Sequence, residues 1–233
     1  MTKKLIIVIV ILAVGIAAFG GWYLFVRDDA PDALKITSSD NGSGAVVDVA
    51  ALDGAWTVAP GTGAEKTVAG YRVKEEFIGV RKVETAGRTP EVTGSLTVSD
   101  GKVTEANFTV NTQTLTSDEA RRDGTIKSRG LQTDKFPNAT FAISEPIVLP
   151  KMTEGSVFKV TAKGNLTLHG VTNPITIELT GKSSGKAKMF TVQGSAPIVM
   201  ADYGIEPPNI GGFVTVQDSG SLEFIVNFEK SQP

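Results

Sequence analysis

From Leu52 onward the chain alternates apolar and polar residues with a period of two. Val92, Gly94, Leu96 and Val98 interleave with Thr93, Ser95 and Thr97, and Ala106, Phe108 and Val110 interleave with Asn107 and Thr109. Phe158, Val160, Ala162, Gly164, Leu166 and Leu168 share one long face, and Ile175, Ile177 and Leu179 share another. Near the end, Leu222, Phe224, Val226 and Phe228 oppose Glu223, Asn227 and Glu229. Side chains of a strand point alternately to its two faces, so each run predicts a strand with one apolar and one wet face. Antiparallel sheets are built this way. Such a sheet must close or fold over to hide its apolar face, and a barrel and a sandwich serve equally well. The length of the run at 156–168 favours a tall barrel with room for a ligand.

The pattern breaks at residues 121–141, RRDGTIKSRGLQTDKFPNATF, which read as a long polar connector. Just before it, Leu115–Asp123 predicts a short helix. Ser117 would cap its start, Asp118 and Glu119 would lie in its first turn, and Gly124 would end it.

A different pattern opens the chain. Residues 5–26, LIIVIVILAVGIAAFGGWYLFV, form an uncharged run of 22 residues. As a helix this would be ~33 Å long, close to the hydrocarbon thickness of a bilayer. Lys3 and Lys4 precede it, Asp28 and Asp29 follow, and Trp22 and Tyr23 sit at the far end. The expectation is a single-pass signal anchor with residues 1–4 in the cytoplasm and the remainder exported to the cell envelope of a bacterium. A cleaved signal peptide ending near Gly20 is the alternative. Residues 27–51, rich in Asp, Ser and Gly, read as a flexible linker to a folded domain at 52–230.

Composition narrows the chemistry. The formal charge is −2, which offers no basic surface for nucleic acid. There are no cysteines and one histidine, His169. Disulfides, thiol catalysis and multi-histidine metal sites are therefore excluded. A Ser/His/Asp triad would have to use His169, and no G-x-S-x-G elbow accompanies it. His169 reads as a turn residue at a strand end. Alternation puts Ala69, Tyr71, Val73, Glu75 and Phe77 on one face, so Glu75 would point inward and need a partner, a barrel mouth or a bulge.

Several of these stretches resemble the YceI-like family of polyisoprenoid-binding proteins. In that family an Arg-Asp pair opens a polar connector, followed by Leu/Phe-x-x-Asp-x-Phe/Tyr-Pro and a Thr-Phe strand. The matching residues are Arg122-Asp123, Leu131, Asp134, Phe136-Pro137 and Thr140-Phe141. GNLTLHGVTNP at 164–174 is similar to a second family signature, G-x-L-T-[IL]-x-G-V-T-x-P. ADYGI at 201–205 and Trp56-Thr-Val are weaker matches, and the family's early polar positions, often His, are absent from AGYRVKEEFIGVRKVETAGRT at 69–89.

The resemblance implies an all-β fold: an extended, lipocalin-like antiparallel barrel with one short helical connector, here preceded by a transmembrane helix. It implies non-covalent binding of an isoprenoid lipid, a polyprenyl chain or a quinone, without a metal or a further cofactor and without catalysis. Tyr71, Val73, Phe77, Leu96, Phe108 and Val110 are expected along the channel, with Phe141, Ile143, Phe158, Phe190 and Phe224. Arg122 and Asp123 are expected to pair and hold the connector across one end of the barrel. Arg121, Arg122 and Glu75 are the candidate head-group contacts. A homodimer belongs to the same expectation. Two rival readings stand beside it: a structural or stress-related envelope protein with a filled barrel, and a lipid-acting hydrolase or isomerase using His169.

Overall fold

The computed structural model describes residues 30–38, 44–77, 81–184, 189–210 and 214–231. Its strands, in chain order, are β1 (Gly54–Ala59), β2 (Val68–Phe77), β3 (Arg81–Thr89), β4 (Val92–Ser99), β5 (Lys102–Asn111) and β6 (Asn138–Ile143). They continue as β7 (Ile147–Val148), β8 (Val157–Leu168), β9 (Val171–Ser184), β10 (Met189–Val199), β11 (Asn209–Ile210) and β12 (Val214–Lys230). All the pairings between them are antiparallel.

The sheet closes on itself. Strand order runs β1-β4-β5-β6-β8-β9-β10-β12, and β12 pairs back onto β1. This ring is an eight-stranded barrel. β12 is shared along its length: Asn227–Lys230 pair with β1, whereas Val214–Ile225 pair with β2. The β2–β3 hairpin therefore forms the wall at the end where β1 is absent. There Arg88 and Thr116 exchange backbone hydrogen bonds at 2.9 and 3.0 Å, which ties β3 to the start of the connector. Closure of the ring leaves β3 as the terminal strand of the sheet, its outer side bridged to the connector at Arg88.

The end nearer β1 holds the larger of two apolar cores. Trp56 and Leu52 have no exposed surface, and the Trp56 indole donates to the Leu52 carbonyl at 2.9 Å. The edge of Trp56 meets Phe190 at 4.8 Å between ring centroids. Val98, Val103, Ile147 and Phe228 complete this core.

The helical connector differs from its expected form. Helix α1 spans Ala120–Thr125, and Glu119 rather than Ser117 caps it, accepting from the amides of Arg121 and Arg122. Ser117 is used elsewhere: its amide and hydroxyl both donate to the Asp123 carboxylate, at 2.9 and 2.6 Å. Gly124 does not end the helix, which runs on into a π turn over Ile126–Gly130.

The expected architecture of a barrel preceded by a spanning helix is also corrected. Among the described residues no helix is long and apolar enough to cross a membrane. α1 and its π turn, of six and five residues, are polar and together only ~16 Å long, about half the hydrocarbon thickness. Residues 5–26 lie outside the described residues. Further along, residues 30–38 run against the barrel. Ile36 is buried, and the carbonyls of Pro31, Asp32 and Thr37 accept hydrogen bonds from Arg72, Arg88 and Lys182.

Candidate functional site: an apolar cavity along the barrel axis

The inward faces of β2, β4, β5, β6, β8, β9, β10 and β12 surround a cavity of about 290 Å³. Each strand's alternation supplies every second side chain to it. Phe158 and Leu168, near the two ends of β8, both border it. At 3.3 Å per residue and the usual barrel tilt, they are about 25 Å apart along the axis. The cavity is thus long and narrow. The bordering residues are overwhelmingly aliphatic or aromatic, with Tyr71, Thr112, Thr140, Ser221 and Glu223 the polar ones and no lysine or arginine among them.

One end of the cavity is formed by connectors rather than strands. Leu115, Ile126, Gly130 and Leu131 come from the polar connector and its approach. Met200, Ile205 and Pro208 come from the segment between β10 and β11. Leu131 and Met200 pack on Leu166, Tyr203 and Ile205 in a small second core. A segment that crosses the end of a barrel presents only isolated apolar residues inward, which is why it does not alternate.

The expected lining positions Tyr71, Val73, Leu96, Phe108 and Val110 border the cavity, as do Phe141, Ile143, Phe158, Phe190 and Phe224. The Phe77 side chain lies outside the described residues. Missed by sequence reasoning were Leu131, Met200, Ile205 and Pro208, because connectors carry no periodic signal. Leu166, Leu168, Ile177 and Leu179 were legible as inward positions from their alternation.

The three candidate head-group residues do not border the cavity. Arg121 is exposed. Arg122 and Glu75 meet each other, with Arg122 Nε donating to Glu75 Oε1 at 2.9 Å and Nη2 to Oε2 at 3.3 Å. Arg122 also donates to Asp118 at 2.6 Å. The expected Arg122–Asp123 pairing is replaced by this arrangement, since Asp123 is occupied by Ser117. Burial works against the Arg122 charge, but the hydrogen bonds and charges of Glu75 and Asp118 outweigh it and hold its pKa above the ordinary value. Burial first, and then the nearby Asp123, pushes the Tyr71 phenol up beyond the usual tyrosine range. Glu75 faces inward, as the alternation requires, next to a bulge in β12 between Val216 and Gly220.

A second buried carboxylate was not foreseen. Alternation puts Glu223 on the wet face, yet it is only 4 % exposed. Arg88 reaches it at 2.7 Å and Arg72 at 3.3 Å, and the same two arginines hold residues 31 and 32. Asn227 is buried on the same outer face, where it bonds Thr191, Thr67 and the Glu65 carbonyl. Segments laid over the outside of a barrel bury polar positions that period-two logic leaves in water.

His169 sits in the β8–β9 turn at φ +52°. Its Nδ1 lies 3.1 Å from the Tyr203 carbonyl, its ring packs edge-on against Phe136 at 4.5 Å, and its Nε2 is buried without a hydrogen-bond partner among the described residues. None of these contacts is a nucleophile. Among the described residues no group of three His, Asp or Glu is placed to hold a metal ion.

Comparison with known proteins agrees with this geometry. A YceI-like domain profile matches residues 56–228. A UPF0312 protein of Yersinia enterocolitica is 40% identical over 83 residues, covering 34% of this chain and 40% of that one. Protein YceI of Salmonella arizonae is 35% identical over 108 residues, 43% of this chain and 52% of the relative. The matched stretches thus span about half or less of these relatives. Among solved structures, a polyisoprenoid-binding domain from Saccharophagus degradans, implicated in plant cell wall breakdown, superposes with a TM-score of 0.56 at 16% identity. It covers 76% of this chain and 98% of its own. BcnA of Burkholderia cenocepacia superposes with a TM-score of 0.53 at 18% identity, over 78% and 98%. At these identities the likeness is one of fold.

Proposed function

Because the chain belongs to the YceI-like family, we propose that its barrel binds an isoprenoid lipid non-covalently, for carriage or storage, with the hydrocarbon chain threaded into the axial cavity. The observation that carries this reading is the long apolar cavity, bordered by no lysine or arginine among the described residues. Each buried CH₂ contributes about 0.8 kcal/mol of transfer free energy. A chain of ten buried carbons therefore gains roughly 8 kcal/mol before ordering costs. That gain requires no charged contact, which fits the engagement of Arg122 and Glu75 with each other. The cell envelope is the location that goes with this reading, and recruitment of lipid there is its role.

The test is to purify the chain from a bacterial host without detergent, then to run native mass spectrometry and mass spectrometry of an organic extract. One polyprenyl lipid or quinone per chain is the expected result. A bare protein that also refuses added isoprenoids would show that the core is closed to ligands and would sink the proposal.

A further inference from the structure

The barrel turns seven phenylalanine and tyrosine rings towards the cavity. Five of them, Tyr71, Phe108, Phe141, Phe158 and Phe224, are laid against the wall, each over a glycine of a neighbouring strand, whereas Phe190 and Phe228 are registered opposite each other. Phe158 is registered directly opposite Gly181, Phe224 opposite Gly194, Phe108 opposite Gly94 and Tyr71 opposite Gly87. Phe141 lies diagonally over Gly164, whose direct partner is Ile143. A Cβ built on Gly181 would fall 2.3 Å from Phe158 Cζ, and one on Gly194 would fall 2.4 Å from Phe224 Cζ. At Gly87 the Tyr71 ring comes to 2.5 Å, at Gly94 the Phe108 ring to 2.5 Å, and at Gly164 the Phe141 ring to 2.5 Å. The rings thus occupy the space that a cross-strand side chain would fill.

Glycine weakens a strand interior, and an aromatic ring laid over it recovers contact area. Here the same arrangement has a second effect. All five rings border the cavity. A ring displaced from its glycine has the sheet behind it and only the lumen in front. We propose that these ring-on-glycine pairs set the bore of the cavity, so that it admits a single thread-like chain and refuses fused-ring and two-chain lipids. This rests on the lipid-binding reading above and names the ligand class. The volume fits it: about 290 Å³ is at the small end of ligand pockets, yet it is drawn out over about 25 Å.

Gly181 and Gly194 are the positions to test, because only side-chain atoms stand in the way there; at Gly94 and Gly164 a backbone carbonyl also intervenes. The probes are tritiated geranylgeraniol, a single-chain isoprenol, and tritiated cholesterol, each measured by co-elution with the full chain. Wild type is expected to take geranylgeraniol and exclude cholesterol. Gly181→Ala and Gly194→Ala are each expected to weaken geranylgeraniol binding about tenfold or more. Removing the displaced ring in the same chain, as Gly181→Ala/Phe158→Ala, restores binding, and Phe158→Ala/Phe224→Ala admits cholesterol. Glycine variants that fold and bind like wild type, or a wild type that takes cholesterol as readily, would overturn the bore assignment. Should Gly181→Ala fail to fold, the Gly181→Ala/Phe158→Ala chain decides: failure to recover folding and binding together counts against the assignment. If wild type binds neither probe, the lipid reading fails. The bore is then judged from a crystal structure of Gly181→Ala, where a Phe158 ring turned into the lumen supports it and a ring left in place overturns it.

Discussion

Arg122 of helix α1 donates to Glu75 of β2 at 2.9 Å, with the two side chains only 13% and 3% exposed. One buried ion pair therefore fastens the connector that borders one end of the cavity to the wall of the barrel. Removing one partner of such a pair leaves a buried charge alone, which costs about 3 kcal/mol. Arg122→Met should lower unfolding free energy by about that amount in urea titration, and Arg122→Met/Glu75→Leu should recover part of it. A loss below about 0.5 kcal/mol in the single variant would mean the pair is a bystander. Hydrogen exchange should also speed up over residues 120–131 before the strands.

Glu223 is held between Arg72 and Arg88, and those arginines in turn hold the carbonyls of Pro31 and Asp32. Glu223→Gln should cost about 2 kcal/mol and loosen the covering segment. Limited proteolysis reads this directly: new cleavage is expected within residues 30–38. Unchanged protection of that segment would show that Ile36 packing and the Lys182–Thr37 hydrogen bond secure it without Glu223.

Tyr71 supplies a pH signature. Its phenol is harder to ionise folded than unfolded, because burial and Asp123 disfavour the anion. The unfolded chain therefore releases its proton first as pH rises past about 10, the ordinary tyrosine value. The Tyr71 contribution is intact below that pH and is lost as pH rises towards the folded pKa. Thermal unfolding of Tyr71→Phe across pH 8–11 should show a shallower alkaline decline than wild type, and parallel curves would count against it.

His169 discriminates binding from catalysis. It holds a left-handed turn at φ +52° and touches Tyr203 and Phe136. His169→Ala should cost about 1 kcal/mol through lost contact and backbone strain. Lipid uptake should be unchanged, and no turnover of an isoprenoid ester should appear in either protein. Activity present in wild type and absent in His169→Ala would instead support the hydrolase reading.

What the sequence by itself determined is the wall of the barrel. Strict alternation in β4, β5, β8, β9 and β12 assigns Leu96, Phe108, Phe158, Leu179 and Phe224 to one face, because side-chain direction in a strand depends only on position parity. The antiparallel class follows from the same alternation, and the break at 121–141 follows from its absence. Tertiary structure decided everything that depends on which segments meet. Closure through β1 and β12, the seat of Leu131 and Met200 at the cavity end, and the burial of Glu223 under Arg72 and Arg88 all join residues distant in sequence. So does the choice of Glu75 over Asp123 as partner of Arg122: Asp123 is adjacent in the chain, but Ser117 takes its carboxylate. The glycines show the division most clearly. Alternation places Gly94 and Gly164 on the inner face, but only the strand register sets a ring over each of them, and register is a property of the pairing rather than of either strand.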